Sequence, residues 1–247
     1  MLKGCVGFLT GGTSTLGKEI LLKLTEYKAE IIFTYYNNEK LANELVEKIS
    51  KAGGNAKAVQ LDLLDKSAIS KVFHDISDTY GKLDFLINNV GLGICKPTEE
   101  ISLEEWNETI AINLTAPFLC SQESIRLFKK NNKGKIINIS SVAGVTGGSF
   151  GAHYGSTKAG LIGLTKSLAR DYGKYGITTN AIAPGPIESE MTDSLGKEVI
   201  DSILNATPQR RLGKAYEVAE TVCQMLNPNI NYINGQTIVI DGGRYMV

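Results

Sequence analysis

Short apolar runs alternate along this chain with longer segments whose apolar residues recur every three or four positions. The runs Cys5–Thr10, Glu30–Tyr35, Ala56–Leu61, Leu83–Asn88, Ile136–Ser141, Ile177–Ala183 and Gln236–Ile240 read as strands. Between them lie segments at helical spacing. Lys18–Lys28 carries Ile20, Leu21, Leu24 and Tyr27 along one face. Further helices are predicted at about 39–51, closed by Gly53-Gly54, at 66–80, over a long stretch 103–130, at 154–172 and at 216–226. Strands that alternate with helices predict an α/β fold with a parallel sheet and right-handed crossovers. Pro184-Gly185-Pro186 suits neither helix nor strand. The chain from Ile187 to Leu212 is polar, with Gly196 and Pro208, and is expected to form a mobile lid beside the strand ends.

Composition narrows the function classes. No linker or repeat divides the 247 residues, so one domain over 1–247 is expected. The chain has 26 basic and 26 acidic residues, a balance that calls for no nucleic-acid partner. No apolar run approaches the ~20 residues that span a bilayer. Met1–Val6 enters a strand at once, which leaves no room for a signal peptide, and a cytoplasmic location is expected. Cys5, Cys95, Cys120 and Cys223 are scattered without metal or redox spacing and read as reduced thiols. With His74 and His153 the only histidines, no metal site is expected. His153 adjoins Tyr154, and either lines the substrate mouth or packs inside.

Three places carry candidate chemistry. Gly11-Gly12-Thr13-Ser14-Thr15-Leu16-Gly17 lies between a strand and a helix, the context of a nucleotide-binding loop. Free N–H groups and the positive end of the helix dipole favour a pyrophosphate there. Ser141 stands where a strand ends, and a glycine-rich loop leads from it to Tyr154 and Lys158, four apart on one helix face. A hydroxyl, a phenol and an ammonium at one point suit protonation of a carbonyl oxygen. An adjacent lysine cation is expected to lower the phenol pKa. Pro117 has no N–H for the carbonyl of Asn113, so a kink and a free acceptor for water are expected there. A simple bend around the core is the competing reading.

Taken together, these residues resemble the short-chain dehydrogenase/reductase family, over nearly the whole chain. Thr10-Gly11 to Gly17 resembles its cofactor loop, and Asn88-Asn89-Val90-Gly91 is similar to its N-N-A-G strand end. Asn113, Ser141, Tyr154 and Lys158 match its catalytic tetrad, and Pro184-Gly185 its segment near the nicotinamide. The resemblance implies a single-domain Rossmann fold, a doubly wound parallel seven-stranded sheet with helices on both faces. Within the family the pattern is closest to β-ketoacyl-(acyl carrier protein) reductases. The implied activity is hydride transfer from NADPH to the carbonyl of a 3-oxoacyl thioester on acyl carrier protein, in fatty acid synthesis. Ser141 would bind the carbonyl oxygen and Tyr154 protonate it. Lys158 would lower the Tyr154 pKa and hold the nicotinamide ribose, and Asn113 would position a water.

The implied cofactor contacts are Gly11, Thr13, Ser14, Thr15, Leu16, Tyr35, Asp62, Leu63, Asn89, Val90, Gly91, Tyr154, Lys158, Pro184, Gly185 and Ile187. NADP(H) is expected because the second strand ends Thr34-Tyr35-Tyr36-Asn37-Asn38 without a carboxylate. A homotetramer is implied, with interfaces on helices 103–130 and 154–172 and the last strand. Two positions depart from the pattern. Thr15 replaces the middle glycine of the loop. If it sits at φ > 0 it is strained, and Thr15→Gly is expected to tighten NADP(H) binding up to about tenfold. Asn132 and Tyr175 stand where carrier-protein reductases commonly present arginines, with Lys129, Lys130, Lys133 and Lys174 nearby. Two other functions remain open: reduction of another small ketone or oxidation of a secondary alcohol, and a non-catalytic cofactor sensor.

Overall fold

The structure, a computed structural model, describes residues 1–148 and 150–246; Ser149, in the glycine-rich loop, and Val247 lie outside them. The described residues form one seven-stranded sheet: β1 (Val6–Leu9), β2 (Glu30–Tyr35), β3 (Asn55–Gln60), β4 (Phe85–Asn88), β5 (Gly134–Ile139), β6 (Ile177–Pro184) and β7 (Thr237–Ile240). All neighbours pair in parallel, in the order β3-β2-β1-β4-β5-β6-β7. The order reverses between β1 and β4, and ligands of such sheets bind outside the strand ends at that switch point. Gly7 is required inside β1, because a Cβ there would lie 2.1 Å from the Phe85 ring.

The helices cover both faces. On one, α1 (Thr15–Glu26), α2 (Glu39–Lys51) and α10 (Ala215–Met225) bury Ile20, Leu21, Leu24, Leu45, Ile49, Val218 and Val222 against Ile31, Phe33 and Ile182. On the other, α3 (Lys66–Tyr80), α5 (Ala116–Asn131) and α7 (Ala152–Tyr172) bury Ile69, Phe73, Cys120, Phe128 and Leu168 against Phe8, Leu86 and Ile136. Strands covered on both sides read as continuous apolar runs, which is why they stand out in the sequence. Lys135, at the start of β5, is almost fully buried. Its Nζ donates to the carbonyls of Met225, Asn227 and Ile230, and so closes the C-terminal end of α10. No helix among the described residues is long and apolar enough to cross a membrane.

Three sequence expectations change. The stretch 103–130 is not one helix. It divides into α4 (Leu103–Ile110), a π turn (Ala111–Thr115) and α5. The wide turn lets Ala116 N–H reach Ala111 O just before Pro117, so the missing proline donor is absorbed without ending the helical path. The polar stretch 187–212 is not structureless either, since it holds α8 (Glu190–Asp193) and α9 (Lys197–Ala206). Finally, His153 is only 1% exposed and takes the packing role, its Nδ1 without a partner among the described residues.

Candidate active site

The phosphate-sized end of the site is built by the turn from β1 into α1. Ser14 caps the helix: its Oγ accepts from Gly17 N at 3.0 Å and donates to Gly11 O at 3.0 Å. Gly11 sits at φ +69, a Cβ on Gly12 would lie 2.4 Å from the Phe33 ring, and a Cβ on Gly17 would lie 2.1 Å from Gly11 O, so the fold demands glycine at these three positions. Asn89 locks the loop from the next strand, its amide donating to Thr10 O, Gly11 O and Ser14 Oγ at 3.0–3.2 Å. Among the described residues, the N–H groups of Thr13, Thr15 and Leu16 have no partner. That leaves donors at a helix N-terminus for a diphosphate.

Thr15 is the first residue of α1 and does not adopt positive φ. The expected strain is therefore absent, because the crowded points fall at Gly11, Gly12 and Gly17 instead. The expected effect of Thr15→Gly reverses. Glycine there loosens the first helical turn by roughly 0.5–1 kcal/mol, and NADPH should bind about two- to fivefold more weakly. Fluorescence titration of both proteins measures this, and tighter binding in the variant would refute it.

Beyond this loop a cavity of about 790 Å³ runs along the strand ends. Its walls include Gly11, Thr13, Ser14, Thr15 and Leu16, then Tyr35, Asp62 and Leu63 at one end, and Asn89, Val90, Gly91, Pro184, Gly185 and Ile187 toward the other. Ser141, Tyr154 and Lys158 line the same space. Asn88 does not; its amide points inward and donates to Asn138 Oδ1 at 2.8 Å. Asn113 is fully buried behind the wall.

Ser141 follows β5 directly. Its Oγ accepts from Ala143 N at 3.1 Å, and the hydroxyl acts to lower the pKa of the Tyr154 phenol. Helix α7 carries Tyr154 and Lys158, both nearly inaccessible to solvent. Lys158 Nζ donates to Ile139 O at 2.9 Å and lies 5.5 Å from the centroid of the Tyr154 ring. Asn113 works through its side chain. Oδ1 accepts from Leu92 N at 2.7 Å, and Nδ2 donates to Leu92 O at 2.8 Å and to Thr157 Oγ1 at 3.1 Å. This clamps the loop after β4 onto the π turn and onto α7.

The electrostatics differ from the expectation that Lys158 depresses the Tyr154 pKa. Burial holds the phenol above its usual value, with the Ser141 hydroxyl pulling the other way. Burial pushes the Lys158 ammonium down to about 8. A dry site penalises the charged form of each group.

Several wall residues escape a reading of the sequence. Phe150 stacks against Tyr154 with ring centroids 5.3 Å apart. Met191, Thr192, Leu195 and Ile203 form a cap from α8, α9 and the turn between them, whose two ends are tied by a bridge between Ile187 and Gly213. In α9, Val199, Ile200, Ile203 and Leu204 stand at helical spacing, a signal present but short. Arg244 and Tyr245, from the last residues of the chain, also line the cavity.

The chain is similar to known proteins over nearly its whole length. A family model described as enoyl-(acyl carrier protein) reductase matches residues 11–244. The 3-oxoacyl-[acyl-carrier-protein] reductase FabG of Aquifex aeolicus is 37% identical over 244 residues, 99% of this chain and 98% of that protein. Its namesake from Vibrio cholerae is 36% identical over 246 residues, covering 100% and 99%. A solved double mutant of a Serratia marcescens short-chain dehydrogenase/reductase has a TM-score of 0.91 at 33% identity, with 98% of each chain covered.

Proposed function

The chain belongs to the short-chain dehydrogenase/reductase family, and on that premise we propose that this oxidoreductase reduces the 3-oxo group of an acyl thioester borne by acyl carrier protein, using NADPH in the cytoplasm. What carries the reading is the meeting of Ser141, Tyr154 and Lys158 in one cavity that also opens onto the phosphate loop. The relatives at 36–37% identity bear a 3-oxoacyl substrate in their name, which favours a ketone over the enoyl group of the family description.

The free N–H groups of Thr13, Thr15 and Leu16 fit the cofactor diphosphate, and Tyr35, Asp62 and Leu63 the adenosine. Val90, Gly91, Pro184, Gly185 and Ile187 fit the nicotinamide half. Bound there, the cofactor supplies the hydride. Ser141 donates to the substrate carbonyl oxygen, its own lone pair already engaged by Ala143 N–H. Tyr154, kept protonated by burial, gives its proton to the alkoxide as it forms. Lys158 stabilises the resulting phenolate. Asn113 holds the neighbouring loop and α7 in register.

The test is NADPH-dependent turnover of acetoacetyl thioesters against a panel of simple ketones, with NADH in parallel. Preference for another ketone class would overturn the substrate. A tighter Kd for NADH would overturn the NADP assignment, which rests on Thr34, Tyr35 and Tyr36 lining the adenosine end.

The pH dependence has a definite sign. Lys158 is cationic below about 8 and neutral above. At saturating cofactor, kcat/KM for reduction should be level on the acid side and fall as pH rises through that region. The apparent value belongs to the Tyr154–Lys158 pair. A profile that rises across the same interval would contradict the role given to Lys158.

We also propose a homotetramer through α4, α5, α7 and β7, to which light scattering that showed an active monomer would put an end. Of Lys129, Lys130, Lys133 and Lys174, Lys129 and Lys174 lie over Tyr175, Nζ 4.6 and 5.2 Å from its ring centroid. They lie where β5 and β6 begin, at the sheet end opposite the cavity. As a carrier-protein dock they would serve a neighbouring subunit's cavity.

A further inference from the structure

We infer that Arg244 selects substrates that carry an anion near the reacting carbonyl, an inference that rests on the reductase reading above. The chain turns back after β7. The Asp241 carboxylate accepts from Gly243 N at 3.0 Å and Tyr245 N at 2.6 Å, and Gly242 and Gly243 take φ +68 and +83. A Cβ on Gly242 would lie 3.0 Å from Thr207 Cγ2, so the turn packs against the returning stem of the cap. Its effect is to bring Arg244 into the cavity wall.

Two observations give this arginine a substrate role. Among the described residues its guanidinium makes no ion pair, side-chain hydrogen bond or ring contact. None of the acids that line the cavity, Asp62, Glu108 and Glu190, pairs with it. An arginine stays charged and presents a planar fork that matches carboxylate or phosphate. Its place in the sheet then excludes the cofactor phosphates. Arg244 follows β7, five strands from β2 at the adenosine end and four from β1 and its loop. At ~4.8 Å per strand those separations are on the order of 24 and 19 Å. Ser141 follows β5, two strands away, or roughly 10 Å. The anion within reach belongs to the substrate. It is either the phosphate of a phosphopantetheine arm or a carboxylate of the oxo-acid itself.

The experiment uses two matched pairs: acetoacetyl-phosphopantetheine against acetoacetyl-pantetheine, and monoethyl against diethyl 3-oxoadipate. Each is assayed for kcat/KM with the intact protein and with Arg244→Met and Arg244→Lys, and for binding to the NADP⁺ complex by calorimetry. The intact protein should favour the charged member of one pair by roughly 10- to 100-fold, the range of a charge-assisted pair. Arg244→Met should erase that preference through the charged member alone, and Arg244→Lys should keep part of it. The pair that responds identifies the source of the anion. A ratio in both pairs that Arg244→Met leaves unchanged, in turnover and in binding, overturns the inference. The two proposals fail separately. Thioesters reduced by the intact protein, with neither pair responding to Arg244→Met, would sink Arg244 alone. Thioesters left unreduced beside an Arg244-dependent oxo-ester preference would sink the thioester substrate alone.

Discussion

Tyr154→Phe is expected to lower ketone turnover by roughly 10²–10⁴-fold, the usual worth of a positioned general acid, while NADPH binds as before. The phenylalanine keeps the ring that packs against Phe150, 5.3 Å away between centroids, so the wall of the cavity stays intact. What it removes is the hydroxyl whose pKa burial raises and Ser141 lowers. Because burial keeps that hydroxyl protonated at neutral pH, the loss should be similar across the acid and neutral range. Steady-state kinetics with acetoacetyl thioester and fluorescence titration of NADPH separate the two effects. Wild-type turnover in the variant would remove Tyr154 from the chemistry. Tyr154→Phe that binds NADPH poorly would instead mark the phenol as a cofactor ligand.

That test can be framed from sequence because the relevant residues are close in the chain. Tyr154 and Lys158 share a helix face, and Ser141 ends the strand before it. Buried parallel strands announce themselves as runs such as Glu30–Tyr35 and Leu83–Asn88. What stays hidden is what depends on distant packing. Arg244 reaches the cavity only because β7 joins the sheet beside β6 and the chain then folds back. Asn113 is legible as a tetrad residue, but its clamp on Leu92 requires a π turn that no local spacing announces. The Thr15 reading failed for the same reason. A glycine pattern shows where crowding is common, while in this loop the positive φ falls at Gly11 and the close packing at Gly12 and Gly17. A charge pair such as Tyr154 and Lys158 can be counted from sequence, whereas the burial that raises the Tyr154 pKa cannot.

The sharpest dependence on distant packing is at Gly144, in the short helix α6 (Ala143–Thr146) that follows Ser141. A Cβ there would lie 2.6 and 2.7 Å from the carbonyl carbon and oxygen of Lys158 and 2.8 Å from Ala159 N. All three are backbone atoms, so no rotamer relieves the contact, and α6 and α7 must move apart. Overpacking of this kind costs about 1–3 kcal/mol, or a Tm lower by roughly 2–10 °C for a chain of this size. The larger effect is on the chemistry. Ser141 O accepts from Gly144 N at 2.9 Å, and Ser140 Oγ donates to Lys158 O at 2.9 Å, so either helix drags one half of the site away from the other. A misplacement near 1 Å costs on the order of 10²-fold, and Gly144→Ala should lose about that much turnover. NADPH affinity should change less, since the phosphate loop belongs to β1 and α1. Gly91→Ala is the companion variant. Its Cβ would lie 3.0 Å from Lys158 Nζ and in ordinary contact with Lys158 Cε and Asn113 Oδ1, so the end of one side chain, itself bonded to Ile139 O, must give by a few tenths of an ångström rather than any backbone. It should therefore leave the Tm nearly unchanged while lowering turnover. Thermal unfolding with kcat for both variants decides the matter. Gly144→Ala with wild-type kcat would mean that α6 yields without moving Ser141, and that the spacing of the two helices does not set the geometry of the site.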